Sequence, residues 1–324
     1  MTLPVLSSYP AVAADRDSWI LARRGPRNEV DPFRPYAFHV EDERSASGEV
    51  VPVATVFLTN RECPWRCLMC DLWRNTLAES VPPGAIPLQI DYALHRLPPA
   101  RQIKLYNSGS FFDTRAIPEQ DHTAIAEGVA GFERVIVECH PALVGDECYR
   151  FRDCLTGRLE VAMGLETVDP EILERLNKRM TTDQFLAAAQ RLHENDIDLR
   201  IFILVKPPFM KEANAVEWTV RSMLFAFECG ATAVTLIPTR GGNGAMEELA
   251  AADEFSPPAL RTLQAAAASG IALNRGRVFV DLWDIHAQPG CPSCHDERIA
   301  RLHEMNLQQS IPAPMICERC GENG

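Results

Sequence analysis

The stretch Arg61-Glu62-Cys63-Pro64-Trp65-Arg66-Cys67-Leu68-Met69-Cys70 sets three cysteines in the spacing C-x3-C-x2-C. It follows directly on the apolar run Val53-Ala54-Thr55-Val56-Phe57-Leu58. A cubane iron–sulfur cluster is normally held by four thiolates. Three thiolates leave one iron without a protein ligand, much as a catalytic zinc keeps an open position. A strand feeding such a loop therefore points to a [4Fe-4S] cluster on Cys63, Cys67 and Cys70 with one reactive iron. The competing possibility is a zinc knuckle of Cys67 and Cys70, with Cys63 incidental. Zinc knuckles usually pair one C-x2-4-C with a second ligand pair, which weighs against it.

Outward from this loop, the 324 residues are 46% hydrophobic, enough to bury the core of one large α/β domain with appendages. No run approaches the ~18 apolar residues of a membrane span, and Met1 to Asp15 has no basic segment ahead of a hydrophobic one. Neither a membrane protein nor a secreted one is expected. Seven of the eleven cysteines fall into metal-type spacings, which suits the reducing cytoplasm better than a disulfide-forming compartment. The net charge is −12. Dedicated nucleic-acid binders carry a basic surplus, so direct nucleic-acid binding by this chain alone is not expected.

Residues 1–50 are turn-rich, with Gly25-Pro26, Asp31-Pro32 and Arg34-Pro35, and predict an irregular preface to the main domain. Apolar, β-rich runs then recur at 53–59, 102–107, 134–138, 159–164, 199–205 and 232–237. Their continuous apolarity predicts strands covered on both faces, as in a parallel sheet. Helices are expected between them: from Asp169-Pro170, an N-cap followed by proline, from Thr181-Thr182, and through Val216, Val220, Met223 and Phe227 to Gly230. Six strand–helix units predict an α/β fold, a partial (β/α)6 barrel over residues 51–285. Active-site groups in such sheets lie at the C-terminal ends of the strands.

The second strand runs into Asn107-Ser108-Gly109-Ser110-Phe111-Phe112, small residues that let a backbone approach a ligand or simply make a tight turn. The third ends in Glu138-Cys139-His140-Pro141. There Glu138 offers a carboxylate, and Cys139 is either a hydrogen-atom relay or just a buried thiol. The fourth ends in Gly164-Leu165-Glu166-Thr167, again with a carboxylate at the mouth. After the fifth, Lys206 enters a Pro207-Pro208 turn, either to anchor a carboxylate or phosphate or to stay solvated. The sixth leads into Arg240-Gly241-Gly242-Asn243-Gly244, a flexible loop with one guanidinium. It lacks the G-x-G-x-x-G spacing of a dinucleotide site.

The tail, residues 286–324, carries a second signature. Cys291-Pro292-Ser293-Cys294 and Cys317-Glu318-Arg319-Cys320 are two C-x2-C knuckles separated by twenty-two residues. Four thiolates so spaced predict a structural zinc site. An auxiliary iron–sulfur cluster uses the same ligand count, and both metals stay open here.

With these residues the chain resembles the radical S-adenosylmethionine (radical SAM) superfamily. Within it, the chain is similar to the family that contains the radical SAM subunit of archaeosine synthase, and more distantly to the radical SAM half of the Elongator acetyltransferase. The matching stretches are Asn60 to Arg74, Lys104 to Asp113, Gly164-Leu165-Glu166-Thr167 with Asn177-Lys178-Arg179, and Leu204 to Phe209. The resemblance implies that the open iron chelates SAM and that an electron from the cluster yields a 5′-deoxyadenosyl radical. It places Met69, Asn107, Ser108, Gly109, Ser110 and Glu166 against SAM, although Ser-Gly-Ser stands where the superfamily usually has Gly-Gly-Glu.

In the archaeosine system the radical enzyme cleaves a C–N bond in a lysine adduct on a 7-deazaguanine base of tRNA, leaving an amidine. Carried over, this implies a C–N lyase on an amino-acid-modified 7-deazaguanine or nucleoside. A zwitterionic amino-acid moiety would be clamped by Glu138, Glu166, Lys206 and Arg240 in charge-assisted hydrogen bonds. It also implies a reductant such as ferredoxin or flavodoxin, and a partner protein that attaches the amino acid. The alternatives are a radical SAM enzyme on a small metabolite or carrier-bound intermediate and, more remotely, a non-catalytic metal-binding scaffold.

Overall fold

In the computed structural model, which describes residues 8–322, the six apolar runs become neighbouring strands of one sheet. Its spatial order follows the chain: β1 (Ala37–Arg44), β2 (Val50–Phe57), β3 (Gln102–Tyr106), β4 (Arg134–Glu138), β5 (Arg158–Glu166), β6 (Asp198–Val205), β7 (Ala233–Pro238) and β8 (Arg277–Val280). All pairs from β2 to β8 are parallel, and β1 runs antiparallel to β2. The result is an α/β fold with the sheet curled into a half-barrel. The helices are α1 (Ala13–Leu21), α2 (Ala85–Leu94), α3 (His122–Gly128), α4 (Asp146–Cys154), α5 (Pro170–Arg175), α6 (Thr182–Glu194), α7 (Glu212–Glu228), α8 (Ala245–Ala251), α9 (Leu260–Ala272) and α10 (His295–Gln308). A short hairpin of β9 (Ile316–Cys317) and β10 (Gly321–Glu322) closes the described chain.

Strand alternation divides the sheet into two faces. Val56, Leu105, Val137, Val161, Ile201 and Val234 belong to the main apolar core packed against the helices. The residues between them point into the concave side. At the N-terminal ends of the strands that side is filled by buried charges. Arg200, only 2% exposed, donates to Glu160 and to Glu43, each at 2.6 Å. Lys104 reaches Glu43 at 2.7 Å, and Arg134 reaches Glu160 at 2.9 Å. Burial alone would raise the Glu43 carboxyl, but Arg200 and Lys104 hold it well below the usual carboxylate range. This network floors the barrel and leaves its mouth, at the C-terminal strand ends, for chemistry.

Three segments depart from the sequence expectation. The preface is not irregular throughout: it forms α1 and β1. β8 adds a seventh parallel strand. The tail contains α10, which buries Leu302 and Met305. That helix lies along the free edge of β8, where Asn306 exchanges both amide bonds with Val280 (2.8 Å each) and Gln309 does the same with Val278 (2.7 and 2.8 Å). Two side-chain amides thus stand in for a next strand and protect an exposed edge.

Candidate active site

The cysteine loop leaves β2 and is held by loops that follow other strands. Leu68 donates its N–H to Leu176 O (2.9 Å), and the Asn177 amide donates to Arg66 O (2.7 Å). The Asn243 amide, in the glycine-rich loop after β7, donates to Leu68 O (2.8 Å) and Cys70 O (3.2 Å). Trp65 stacks on His140, with ring centroids 3.7 Å apart and planes 14° from parallel. Burial pushes the His140 imidazole down to about 4, so it stacks as a neutral ring.

Gly109 backs onto this loop: a Cβ there would lie 3.2 Å from the Cys63 Cβ. The turn it belongs to is capped by Glu138, whose carboxylate accepts from the Asn107 N–H at 2.9 Å, with the Ser108 and Gly109 N–H groups also turned toward it. Burial raises the Glu138 carboxyl to about 7, opposed by those N–H groups and by Lys178. Asn107 is fully buried, with both side-chain amide atoms unpartnered among the described residues. Buried amides rarely stay unsatisfied without a ligand or water to meet them. Asn107 and the glycine cradle beside Cys63 therefore fit a cluster with an amino-acid-bearing ligand. Ser110 holds the turn to β4, accepting the His140 N–H at 3.2 Å and meeting the buried Cys139 thiol at 3.5 Å. Met69 is partly buried between two smaller apolar clusters.

Glu166 takes a left-handed conformation (φ 67°) at an irregularity in the β5–β6 pairing and is bonded to the buried Lys178. The field of Lys178 also reaches Glu138, Cys63 and Cys67. Lys206 instead turns to Glu212 (2.9 Å) and Ser256 (2.5 Å), and Arg240 binds Asp281 and the Trp283 carbonyl (2.7 Å). Glu138 and Glu166 are thus brought around one ammonium, while Lys206 and Arg240 are each committed to other loops. Lys178, Trp65, His140 and Asn243 carry roles that the sequence did not reveal, although Trp65 and Lys178 lay in matching stretches.

The tail cysteines converge. Cys291 and Cys317 place their sulfurs 4.0 Å apart, Cys294 and Cys320 3.7 Å, and all four lie within 4.8 Å of one another. Arg298, 2% exposed, donates to Cys294 Sγ at 3.3 Å and approaches Cys320 Sγ at 3.9 Å. Its other nitrogen reaches Gln264 on α9 at 2.9 Å. A cluster of four cysteines able to hold a metal ion is therefore tied to the barrel by one guanidinium.

Residues 58–216 match the Radical SAM superfamily. An uncharacterized protein of Methanocaldococcus jannaschii is 24% identical over 250 residues, covering 72% of this chain and 68% of that one. Archaeosine synthase subunit beta of Methanosarcina acetivorans is 26% identical over 191 residues, 55% of each chain. This chain therefore spans about half the length of that subunit. Among solved structures, the archaeal Elp3 of Methanocaldococcus infernus aligns with a TM-score of 0.52 at 14% identity, over 67% of this chain and 58% of that one. That likeness is one of fold.

Proposed function

Because this chain belongs to the radical SAM superfamily through the domain at residues 58–216, we propose that it cleaves a C–N bond in an amino-acid-modified 7-deazaguanine or nucleoside-type substrate. What supports this reaction is the 26% identity to archaeosine synthase subunit beta over 191 residues. The [4Fe-4S] cluster and SAM, when bound, supply a 5′-deoxyadenosyl radical that abstracts hydrogen from carbon, the kind of chemistry proteins delegate to cofactors. Cys63, Cys67 and Cys70 hold the cluster. Asn107 and the Ser108–Ser110 turn take the amino-acid end of SAM, with Met69 and Glu166 alongside. Glu138 and Glu166 face the substrate ammonium, while Lys206 and Arg240 act through the loops they fix. Positioning of one C–H bond is most of what these residues contribute.

The relatives are named as subunits of a synthase, and by that analogy a partner protein attaches the amino acid and a ferredoxin or flavodoxin reduces the cluster, in the cytoplasm. The test is incubation of reduced enzyme and SAM with lysine-modified 7-deazaguanine, as nucleoside and within tRNA. Deuterium on the lysine side chain should appear in 5′-deoxyadenosine, with an amidine product. SAM cleavage without product from either form would remove the lyase assignment. The net charge of −12 favours a second reading, in which the substrate is a small or carrier-bound molecule rather than tRNA. Conversion of the nucleoside but not of the tRNA would select it.

We also infer that the tail cysteines hold one zinc ion rather than an auxiliary cluster. Tetrahedral zinc with Zn–S bonds of ~2.3 Å places its sulfurs about 3.8 Å apart, and the observed separations are 3.7 and 4.0 Å. Metal analysis of a variant with Cys63, Cys67 and Cys70 all replaced by alanine should find about one zinc per chain. About four irons with sulfide would reverse the assignment.

A further inference from the structure

The concave face carries a second feature, on the side where the sheet stays open. Phe57 closes β2, Tyr106 closes β3, His39 lies on β1, and Trp283 follows β8. Phe57 is the hub: its ring centroid is 5.6 Å from Tyr36, 5.9 Å from His39, 6.0 Å from Trp283 and 6.1 Å from Tyr106. His39 and Trp283 approach to 6.1 Å and so bring the first and last strands of the sheet together at the mouth. None of these rings belongs to the buried core clusters. Trp283 is 54% exposed, whereas the other rings are half-buried.

An exposed indole on a fixed backbone has already lost the freedom that a ligand would otherwise have to remove. The Trp283 backbone is fixed on both sides. Its carbonyl accepts from Arg240 at 2.7 Å, its N–H donates to Asp281 at 3.0 Å, and Arg240 and Asp281 pair with each other. The rings are also joined to the cluster side of the mouth, because the Tyr36 hydroxyl lies 3.1 Å from the Ser108 hydroxyl in the turn behind Cys63. The mouth therefore has a polar half at Glu138, Glu166 and Lys178 and an aromatic half facing it.

We propose that Trp283, Phe57 and His39 form a stacking shelf for a neutral planar heterocycle of the nucleobase class. A substrate whose ring rests there carries its charged substituent toward the carboxylates beside the cluster. The shelf offers π-faces without a cation of its own, since Arg240 is spent on Asp281. Stacking of that kind selects flat rings rather than a particular base. The proposal rests on the barrel mouth being the reaction site and names what that site binds.

The test uses the anaerobically reconstituted protein, with 7-deazaguanosine as the probe and free lysine as the aliphatic comparison, both measured by equilibrium dialysis. Trp283 is the exposed tryptophan among the described residues, so quenching of its emission by the nucleoside gives an independent signal. Wild type should bind the nucleoside in preference to lysine. Trp283→Leu should weaken nucleoside binding about tenfold, with the thermal midpoint unchanged because the indole is half in water. Trp283→Phe should restore most of the loss. Equal nucleoside binding by wild type and Trp283→Leu, or no binding by wild type, overturns the shelf. If the nucleoside binds through Trp283 but the lysine adduct is never cleaved, the shelf stands and the lyase assignment falls.

Discussion

Lys178 is bonded through its ammonium to the Glu166 carboxylate, and about nine-tenths of each side chain is out of water. Gly164 makes room for the pair: a Cβ there would fall 2.2 Å from both the Lys178 Nζ and a Glu166 oxygen. Removing one partner of such a pair leaves a buried charge unmet and costs about 3–5 kcal/mol. Lys178→Met should therefore destabilise the apo protein by roughly that amount in urea unfolding. Lys178→Met combined with Glu166→Leu should recover most of it, and a double variant as unstable as the single one would contradict the pairing.

Gly164→Ala should act on the same pair by pushing it aside. Its effect should overlap with that of Lys178→Met, because residues that share a contact do not add. The check is a double-mutant cycle on unfolding free energies, in which simple additivity would show that the glycine serves something else.

Glu138 supplies a pH dependence. Burial raises its carboxyl from the usual 4.5 to about 7, so the folded state favours the neutral acid. The stability it contributes is complete below about 4.5 and is lost as pH rises through about 7. The unfolding midpoint of wild type relative to Glu138→Gln should thus fall across that interval. A difference that stays flat, or rises, would contradict the sign.

The parallel strands were legible because both faces are apolar at most positions, as in Val135-Ile136-Val137. β1 was not, since its concave-side residues His39, Glu41 and Glu43 are polar and find their partners Lys104 and Arg200 only in the folded sheet. β8 is only four residues long, and its edge is completed by side chains of α10 rather than by another strand. The cysteine loop was legible from spacing alone. Lys206 and Arg240 were legible as charges following strands, but their engagement by Glu212 and Asp281 depends on loop contacts that no local pattern encodes. The same is true of the Trp65–His140 stack.

Arg298 should tune the tail metal. It donates to one thiolate and approaches a second, and its neutral replacement leaves their charge less compensated. Loss of a hydrogen-bonding partner behind metal ligands typically weakens affinity about 10–100-fold. Arg298→Met should lose zinc to a chelator at correspondingly lower concentration, while the cluster on Cys63, Cys67 and Cys70 keeps its iron content. Unchanged zinc retention would mean that the guanidinium only packs α10 against α9.

The central claim is that three cysteines hold a cluster whose fourth iron is free to take SAM. Its most direct test is the electron paramagnetic resonance spectrum of the anaerobically reconstituted, reduced protein, recorded with and without SAM. The account predicts a [4Fe-4S] signal that changes when SAM is added and is absent once Cys63, Cys67 and Cys70 are replaced by alanine. A reduced spectrum that SAM leaves unchanged, or one that survives loss of the three cysteines, would contradict it.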